Sequence, residues 1–253
     1  MTRSLEGRVA LVTGAGSGIG RAAALAFAAH GAKVLVADID AAANAETARL
    51  IDDNGGASIA VQADVTDESA HENMVRTAIQ AWGRLDCAHN NTGIAEPRVL
   101  TADLTAEMWD RVIDINMKGV WLGMKHQIRQ MLEQGGGAIV NTASVVGLAA
   151  VRHQPAYVAS KHGVIGLTKA AALEYAEARI RVNAVCPAAV HTPSLDWYFK
   201  ENPPIERALI ESNPSKRIAT VDEVVGAVIW LCSDEASFIT GHALAIDGGV
   251  LAQ

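Results

Sequence analysis

The sequence lacks several features that would place the protein in a special class. It has three cysteines, Cys87, Cys186 and Cys232, which lie far apart and form no CxxC pair. This usage predicts reduced, buried thiols and a cytoplasmic protein instead of a disulfide framework. No apolar run reaches the ~20 residues that span a bilayer. The first residues also lack the apolar stretch of a signal peptide. We therefore expect no membrane association.

Basic residues are in short supply. The chain has 21 Lys and Arg against 28 Asp and Glu, a net charge of −7 with the two signs interspersed. Without a basic stripe, binding to nucleic acid or to an anionic membrane surface is not expected. The eight histidines show no metal-ligand spacing. These absences leave a small molecule as the expected partner, with no catalytic metal.

Short apolar runs alternate with amphipathic stretches along the whole chain. Half of the residues are hydrophobic, which is enough for one large core. Strands are predicted at 8–14, 32–38, 57–64, 85–91, 137–144, 179–187 and 242–247. Helices are predicted at 18–31, 41–54, 67–83, 105–133, 154–177 and 221–233. This order favours an α/β fold, a doubly wound parallel sheet of about seven strands with helices on both faces. We expect a single domain over 1–253, in which the proline-rich segment 188–220 forms a helical flap.

A glycine-rich loop joins the first predicted strand to the first predicted helix. Its sequence, TGAGSGIG at 13–20, places Gly14, Gly18 and Gly20 in a GxxxGxG spacing. Glycines there permit a tight turn and let backbone N–H groups approach a pyrophosphate at the helix N-terminus. A loop of this kind can also be a simple turn. Its position between a strand and a helix favours dinucleotide binding.

An acidic residue ends the second predicted strand. Asp38 can accept hydrogen bonds from the adenosine ribose hydroxyls, and it would repel a 2′-phosphate. Positions 17 and 39 are Ser and Ile, so no basic residue reverses this effect. The pattern predicts NAD as the cofactor instead of NADP. The alternative is that Asp38 only caps the following helix.

Tyr157 and Lys161 are spaced i,i+4 on a predicted helix and therefore share a face. A free tyrosine has a pKa of about 10, too high for a base at neutral pH. The Lys161 ammonium and an oxidised nicotinamide would both favour the phenolate. Ser144 ends the preceding predicted strand, at the edge where open α/β sheets bind ligands. Tyr157 is thus a candidate for proton transfer, although such pairs also occur on ordinary solvated helices.

Several motifs occur in one order along the chain. They are TGAGSGIG, ADV at 63–65, NNTG at 90–93, IN at 115–116, NTAS at 141–144, YVASK at 157–161, RVNAVCP at 181–187 and IDGG at 246–249. Together they resemble the classical short-chain dehydrogenase/reductase family, whose members have a Rossmann-type fold. The resemblance covers essentially the whole chain. It implies an NAD-dependent oxidoreductase acting on a secondary alcohol or its ketone.

The resemblance also implies site residues. The catalytic tetrad falls on Asn116, Ser144, Tyr157 and Lys161. In this interpretation Tyr157 transfers the proton, Lys161 lowers its pKa, Ser144 orients the substrate oxygen and Asn116 holds a water. The implied cofactor contacts are Gly14, Ser17, Gly18, Ile19, Gly20, Asp38, Ile39, Asp64, Val65, Asn91, Gly93, Tyr157, Lys161, Pro187, Val190 and Thr192. The expected substrate contacts are Ser144, Val146, His153, Gln154, Tyr157 and Trp197.

Three further expectations concern substrate, assembly and alternatives. The aromatic run at 197–199 favours an apolar or cyclic substrate, unless these rings pack the flap against the body or another subunit. The resemblance implies a homotetramer, and it leaves open a structural Mg²⁺ at Gln253.

Isolated from the motif, Ser144 could be a cap, Asn116 a solvated helix residue and Asn90 a tie between strands. A catalytically idle NAD-binding sensor or scaffold is the alternative function.

Overall fold

The computed structural model describes residues 4–253. At its centre is a seven-stranded sheet in the order β3-β2-β1-β4-β5-β6-β7, and every neighbouring pair is parallel. The strands are β1 (Val9–Thr13), β2 (Lys33–Asp38), β3 (Ala57–Gln62), β4 (Cys87–Asn90), β5 (Gly137–Thr142), β6 (Ile180–Pro187) and β7 (Ala243–Ile246). The predicted doubly wound parallel sheet is confirmed. Its order reverses between β1 and β4, which is where such sheets bind ligands.

Nine α-helices accompany the strands in the described part of the chain. They are α1 (Gly18–Ala29), α2 (Ala41–Asp53), α3 (Glu68–Trp82), α4 (Ala106–Ile113), α5 (Gly119–Gln134), α6 (Pro155–Tyr175), α7 (Pro193–Glu201), α8 (Pro203–Ser212) and α9 (Val221–Cys232). Helices α1, α2 and α9 pack on one face of the sheet, and α3, α5 and α6 pack on the other. Because both faces are covered, the central strand β1 is buried at every position and apolar at four of its five.

The stretch predicted as one helix at 105–133 is interrupted. Helices α4 and α5 are joined by a π-helical turn at Asp114–Lys118. A π turn accommodates one extra residue and redirects the side chains within it. Gly119, which follows the turn, lies so close to the loop after β3 that an added Cβ would be 3.0 Å from a Val65 methyl group. The turn places Asn116 in the interior, where a regular helix need not have put it.

The proline-rich segment 188–220 is helical, as predicted. Helices α7 and α8 each begin with proline, a residue preorganised for the first turn of a helix. Val190 and Ala219 form a parallel bridge that brings the two ends of the segment together. Among residues 4–253, no helix is long and apolar enough to cross a membrane.

Candidate active site

The glycine loop is shaped by contacts that a side chain would prevent. Gly14 and Gly18 have φ of 64° and 52°, a region that favours glycine. A Cβ at Gly20 would lie 2.0 Å from the Gly14 carbonyl oxygen. Ser17 is the N-cap of α1, and its side chain makes no capping hydrogen bond. The first N–H groups of α1, including that of Ile19, are therefore available to an anion, and the loop fits a dinucleotide pyrophosphate.

Asp38 holds this loop to the second strand. Its Oδ2 accepts a hydrogen bond from the Gly16 N–H at 2.8 Å, and its Oδ1 accepts one from the Asp40 N–H at 3.0 Å. Asp40 itself caps α2, accepting from the N–H groups of Ala42 and Ala43. The alternative that Asp38 is the helix cap is therefore wrong. The neighbouring Ile39 is exposed, and no side-chain ion pair forms with Asp38 within residues 4–253.

Arg21 holds the glycine loop to α2, a role that the sequence analysis did not predict. Its guanidinium donates to the Gly16 carbonyl and to the Ala43 carbonyl, and its Nε donates to Thr47 Oγ1 at 2.9 Å. All three acceptors are protein oxygens, so the guanidinium is already hydrogen-bonded in holding the loop. A basic residue in the first turn of the helix after a glycine loop was the only signal for it in the sequence.

Three of the predicted cofactor contacts, Asp64, Val65 and Asn91, follow β3 and β4 at the same edge of the sheet. Asp64 Oδ1 accepts from the N–H and the hydroxyl of Thr66 at 2.9 and 2.8 Å, and the adjacent Val65 is buried. Asn91 donates through its backbone N–H to Thr13 Oγ1 at 3.0 Å. These contacts fix the loops after both strands beside the glycine loop.

Lys161 is a buried cation without an acidic partner in the described chain. Its side chain donates to the Thr142 carbonyl oxygen at 2.8 Å, and its Nζ lies 5.5 Å from the centroid of the Tyr157 ring. The predicted shared face is thus confirmed. Burial lowers the pKa of Lys161 to about 8, which the nearby Cys186 opposes slightly. A Cβ on Gly93 would lie 3.3 Å from Nζ, so the missing side chain leaves room above the ammonium.

The ionisation of Tyr157 differs from the expected direction. Protein atoms around its hydroxyl desolvate it, and this raises its pKa; a hydrogen bond with the Ser144 side chain lowers the pKa, and the charge of Glu96 raises it further. The sequence-based expectation considered the Lys161 charge and not this desolvation. Without an oxidised nicotinamide nearby, the free-energy cost of desolvating the phenolate exceeds the stabilisation that neighbouring groups give it.

Ser144 has two structural contacts in addition to Tyr157. Its hydroxyl donates to the Pro187 carbonyl at 3.3 Å and accepts from the Val146 N–H at 3.3 Å. It therefore caps the short 3₁₀ turn Val145–Gly147. The interpretation as a cap and the interpretation as a site residue are compatible, because the capping contacts fix the orientation of the hydroxyl beside Tyr157.

Asn116 is fully buried in the π turn, so the alternative of a solvated helix residue is wrong. Its Oδ1 accepts from the Ile94 N–H at 2.8 Å, and its Nδ2 donates to the Ile94 carbonyl at 2.8 Å and to Ser160 Oγ at 3.1 Å. Asn90 joins β4 to β5 and α5 through Asn141 and Gln127, as expected of a tie between strands.

The remaining predicted residues surround the other end of the site. Thr192 caps α7 and lies beside the glycine loop, since a Cβ on Gly18 would be 3.2 Å from its methyl group. Pro187 ends β6 and Val190 is buried. Val146 is buried, whereas Trp197 is 65% exposed on α7. Ala188, which follows Pro187, is not among the residues with positive φ.

His153 and Gln154 lie just before α6. His153 has a φ of 71°, and Gln154 is the N-cap of α6 but makes no side-chain capping bond. A cavity of about 430 Å³ adjoins this corner, and its lining is Leu100, Thr101, Val151, Arg152, His153, Pro155 and Val158. His153 is the only predicted substrate contact in this lining. Among residues 4–253, no group of three or more His, Cys, Asp and Glu could hold a metal ion.

Glu96 is a further residue at this corner that sequence reasoning missed. Its carboxylate is buried and accepts hydrogen bonds from the N–H groups of Ala156 and Tyr157. The sequence held one indirect signal: the helix starts at Pro155 after Gln154, a residue that rarely caps helices. Its cap therefore had to come from elsewhere in the chain.

Comparison with known proteins agrees with this geometry. A family model described as enoyl-(acyl carrier protein) reductase matches residues 14–251. Cyclohexanol dehydrogenase of Acinetobacter sp. (strain SE19) is 40% identical over 252 residues, covering 98% of this chain and 96% of that protein. The crystal structure of a levodione reductase superposes with a TM-score of 0.94 at 38% identity, covering 98% and 99% of the two chains.

A third relative carries a cofactor. It is a putative 2-deoxy-D-gluconate 3-dehydrogenase from Agrobacterium tumefaciens with bound NADP, 34% identical with a TM-score of 0.91 over 99% of both chains. The motifs, the sheet order and these matches over nearly the full length agree. The chain therefore belongs to the classical short-chain dehydrogenase/reductase family of NAD(P)-binding oxidoreductases.

Proposed function

We propose that the protein is an NAD-dependent dehydrogenase that interconverts a secondary alcohol and its ketone, using Asn116, Ser144, Tyr157 and Lys161. The observation that carries this proposal is the placement of Tyr157. Its hydroxyl lies beside Ser144, and its ring lies 5.5 Å from the Lys161 ammonium. A sensor or scaffold that only binds NAD would not need a tyrosine held between a hydroxyl and a buried cation.

The residues at the carboxyl edge of the sheet fit a dinucleotide. The pyrophosphate would lie on the N–H groups at the start of α1, and the adenosine would lie beside Asp38, Asp64 and Val65. The nicotinamide half would lie between Asn91, Gly93 and the segment from Pro187 to Thr192. When bound, the oxidised nicotinamide supplies the hydride acceptor and a positive charge.

The protein's own groups would move the proton. Tyr157 takes it from the alcohol hydroxyl, or returns it to the ketone oxygen in the reverse direction. Ser144, held in place by the Val146 N–H, would turn its one hydroxyl proton from the Pro187 carbonyl to the same substrate oxygen and stabilise the charge that develops there. Lys161 favours the phenolate electrostatically and would hydrogen-bond the nicotinamide ribose. Asn116, held by Ile94, would keep a water near Lys161.

The substrate we propose is apolar or cyclic. The expected contacts around it are Val146, His153, Gln154 and Trp197, together with the reacting Ser144 and Tyr157. Two of the similar proteins reported above are named for cyclohexanol and levodione, which favours a ring bearing a hydroxyl or keto group. The helical segment 188–220 would cover it, with the exposed ring of Trp197 facing the entrance.

NAD is the cofactor we propose, because the ribose position faces a carboxylate. A 2′-phosphate would lie close to Asp38, and like charges at short range cost several kcal/mol. The NADP-bound relative shows that a member of the family can bind NADP. The discriminating feature here is therefore local to Asp38 and its uncharged neighbour Ile39.

A cytoplasmic homotetramer is the assembly we propose. Helix α6 buries one side against the sheet, while Leu173 on the same helix is 85% exposed. Phe238, in the segment before β7, is also fully exposed. Large exposed apolar side chains favour burial against another copy of the chain.

The experiment is a screen of cyclic and acyclic secondary alcohols with NAD and NADP, followed by absorbance of the reduced cofactor. Tyr157→Phe should lower kcat by about 10²–10⁴ while leaving NADH binding intact. Tyr175→Phe is the matched control, because Tyr175 lies on the same helix and its ring packs against the core. If Tyr157→Phe retained more than about a tenth of kcat, the assignment would be refuted. Its loss of kcat would then be less than tenfold, below the lower end of the expected range.

A further inference from the structure

Glu96 is a buried acidic residue without a cationic partner in the described chain. Its side chain is 3% exposed. Oε1 accepts from the Ala156 N–H at 2.8 Å and from the Tyr157 N–H at 3.2 Å, and Oε2 accepts from the Tyr157 N–H at 3.1 Å. A buried carboxylate is costly unless its charge is compensated. Here the compensation comes from the N-terminus of α6, where unpaired N–H groups and the helix dipole favour a negative charge.

The helix has no cap of its own. Gln154 occupies the N-cap position without a side-chain capping bond, and His153 before it has the unfavourable φ of 71°. Two further contacts hold this strained corner to the segment around Glu96: the Val99 N–H donates to the His153 carbonyl at 3.0 Å, and Arg98 donates to the Arg152 carbonyl at 3.3 Å. The segment 94–99 therefore fixes where α6 begins.

The same segment is anchored at its other end by a tetrad residue. Asn116 makes paired hydrogen bonds to the N–H and the carbonyl of Ile94, both at 2.8 Å. Asn116 also donates to Ser160, which lies on α6 one turn after Ala156. The segment 94–99 thus connects the π turn to the helix start, and its single buried charge contacts the backbone of Tyr157.

We propose that Glu96 is a positioning residue that fixes the orientation and the charge state of Tyr157. The inference rests on the role proposed above for Tyr157, and it assigns to Glu96 an action through that residue without contact with the substrate. Two effects follow from one carboxylate. Its hydrogen bonds hold the helix turn that carries Tyr157, and its negative charge opposes ionisation of the phenol.

Other charged groups near Tyr157 act in known directions. Lys161 lies one turn further along α6 and favours the phenolate. Cys186 lies on β6 near Ser144 and Lys161, and burial raises its pKa to about 11, so it stays neutral through the physiological range. Arg98 and Arg152 lie at the outer side of the corner, where they are exposed to solvent. Glu96 is the negative charge that opposes Lys161.

The test uses Glu96→Gln, which can retain one accepting oxygen but loses the charge. Only three tyrosines are present, so the tyrosinate absorbance of Tyr157 can be isolated by subtracting the titration of Tyr157→Phe. We expect its midpoint to fall by about 0.5–1 pH unit in Glu96→Gln, less than the shift of 1–3 for charges in direct contact. Asp67→Asn, which removes a capping carboxylate from α3, should leave the midpoint unchanged.

Kinetics give a second readout. Glu96→Ala removes the cap as well as the charge, and we expect kcat to fall at least tenfold with little change in KM, since a misplacement of about 1 Å can cost 10²-fold. Glu96→Asp keeps the charge, so its kcat should be higher than that of Glu96→Ala. Its tyrosinate midpoint should stay near that of the native protein.

A merely structural cap predicts other results. It would lower the thermal midpoint in Glu96→Gln but leave the tyrosinate titration unchanged, and that outcome would overturn the proposal even if the protein is active. Failure of the proposed function is recognised separately, because Tyr157→Phe would then retain activity or no alcohol would be oxidised. The absorbance titration requires no substrate and still decides the role of Glu96 in that case.

Discussion

Lys161 should destabilise the protein at neutral pH, and its removal should therefore stabilise the cofactor-free fold. The ammonium is 2% exposed and has no acidic partner within residues 4–253. Burial lowers its pKa from 10.5 to about 8. At ~1.4 kcal/mol per unit, this fall corresponds to a cost of about 3 kcal/mol whenever the side chain is charged in the folded state.

The pH dependence has a definite sign. Below pH 8 both the folded and the unfolded chain carry the proton, so the whole cost is present. Between about 8 and 10.5 the unfolded chain binds the proton more strongly, and stability therefore rises with pH. Near pH 10 only about 1 kcal/mol of the cost remains, as the same relation gives for these two pKa values.

The substitution we propose is Lys161→Met, which keeps the length and most of the volume of the side chain. It loses the hydrogen bond to the Thr142 carbonyl, a change worth about 1 kcal/mol. The variant should therefore be more stable than the native protein by about 2 kcal/mol at pH 7 and roughly equal to it at pH 10. It should have lost its catalytic activity.

Urea unfolding of the cofactor-free protein at pH 7 and pH 10 measures this difference, at one fixed chain concentration because assembly contributes to apparent stability. Lys33→Met is the control, since Lys33 is exposed at the start of β2 and its replacement should change stability by less than about 0.5 kcal/mol. A native protein as stable as Lys161→Met at pH 7 would refute the reasoning, as would a gain in stability that is the same at both pH values.

Two other predictions concern the cofactor and the assembly. The native protein should prefer NAD to NADP by at least about tenfold in kcat/KM, a difference of ~1.4 kcal/mol, and Asp38→Ala combined with Ile39→Arg should relax that preference; equal values in the native protein would show that Asp38 does not discriminate. Light scattering at micromolar concentration should give four times the chain mass, and a monomer mass would contradict the proposed tetramer.

The fold could be predicted from the sequence because most strands contain a short apolar run next to a glycine or an acid, and because helical periodicity separates the strands. The four residues of the proposed tetrad could be named because their motifs are local. The environment of Tyr157 could not. The charge of Glu96 acts on it across 61 positions of sequence, and desolvation depends on atoms contributed by several strands.

The π turn illustrates a second limit. Residues 105–133 keep a helical pattern, and one additional residue in a turn does not break that pattern visibly. The consequence is nevertheless large, since the turn carries Asn116 into the interior beside Ile94. Asp38 shows the converse case, in which the position was predicted but its binding of the Gly16 N–H was not, because loop hydrogen bonds depend on geometry that spacing does not encode.

The long-range contacts explain why the site combines two opposing charges. The Lys161 ammonium lies 5.5 Å from the Tyr157 ring, and a positive charge at this position favours a phenolate in principle. The charge of Glu96 opposes the phenolate from the helix start. In the cofactor-free protein the opposing effects of burial and Glu96 prevail, so Tyr157 keeps its proton. A positive charge arriving with the oxidised nicotinamide would add to the effect of Lys161. In the proposed mechanism, the balance of these two charges would therefore make Tyr157 a better proton acceptor when the nicotinamide that accepts the hydride is bound.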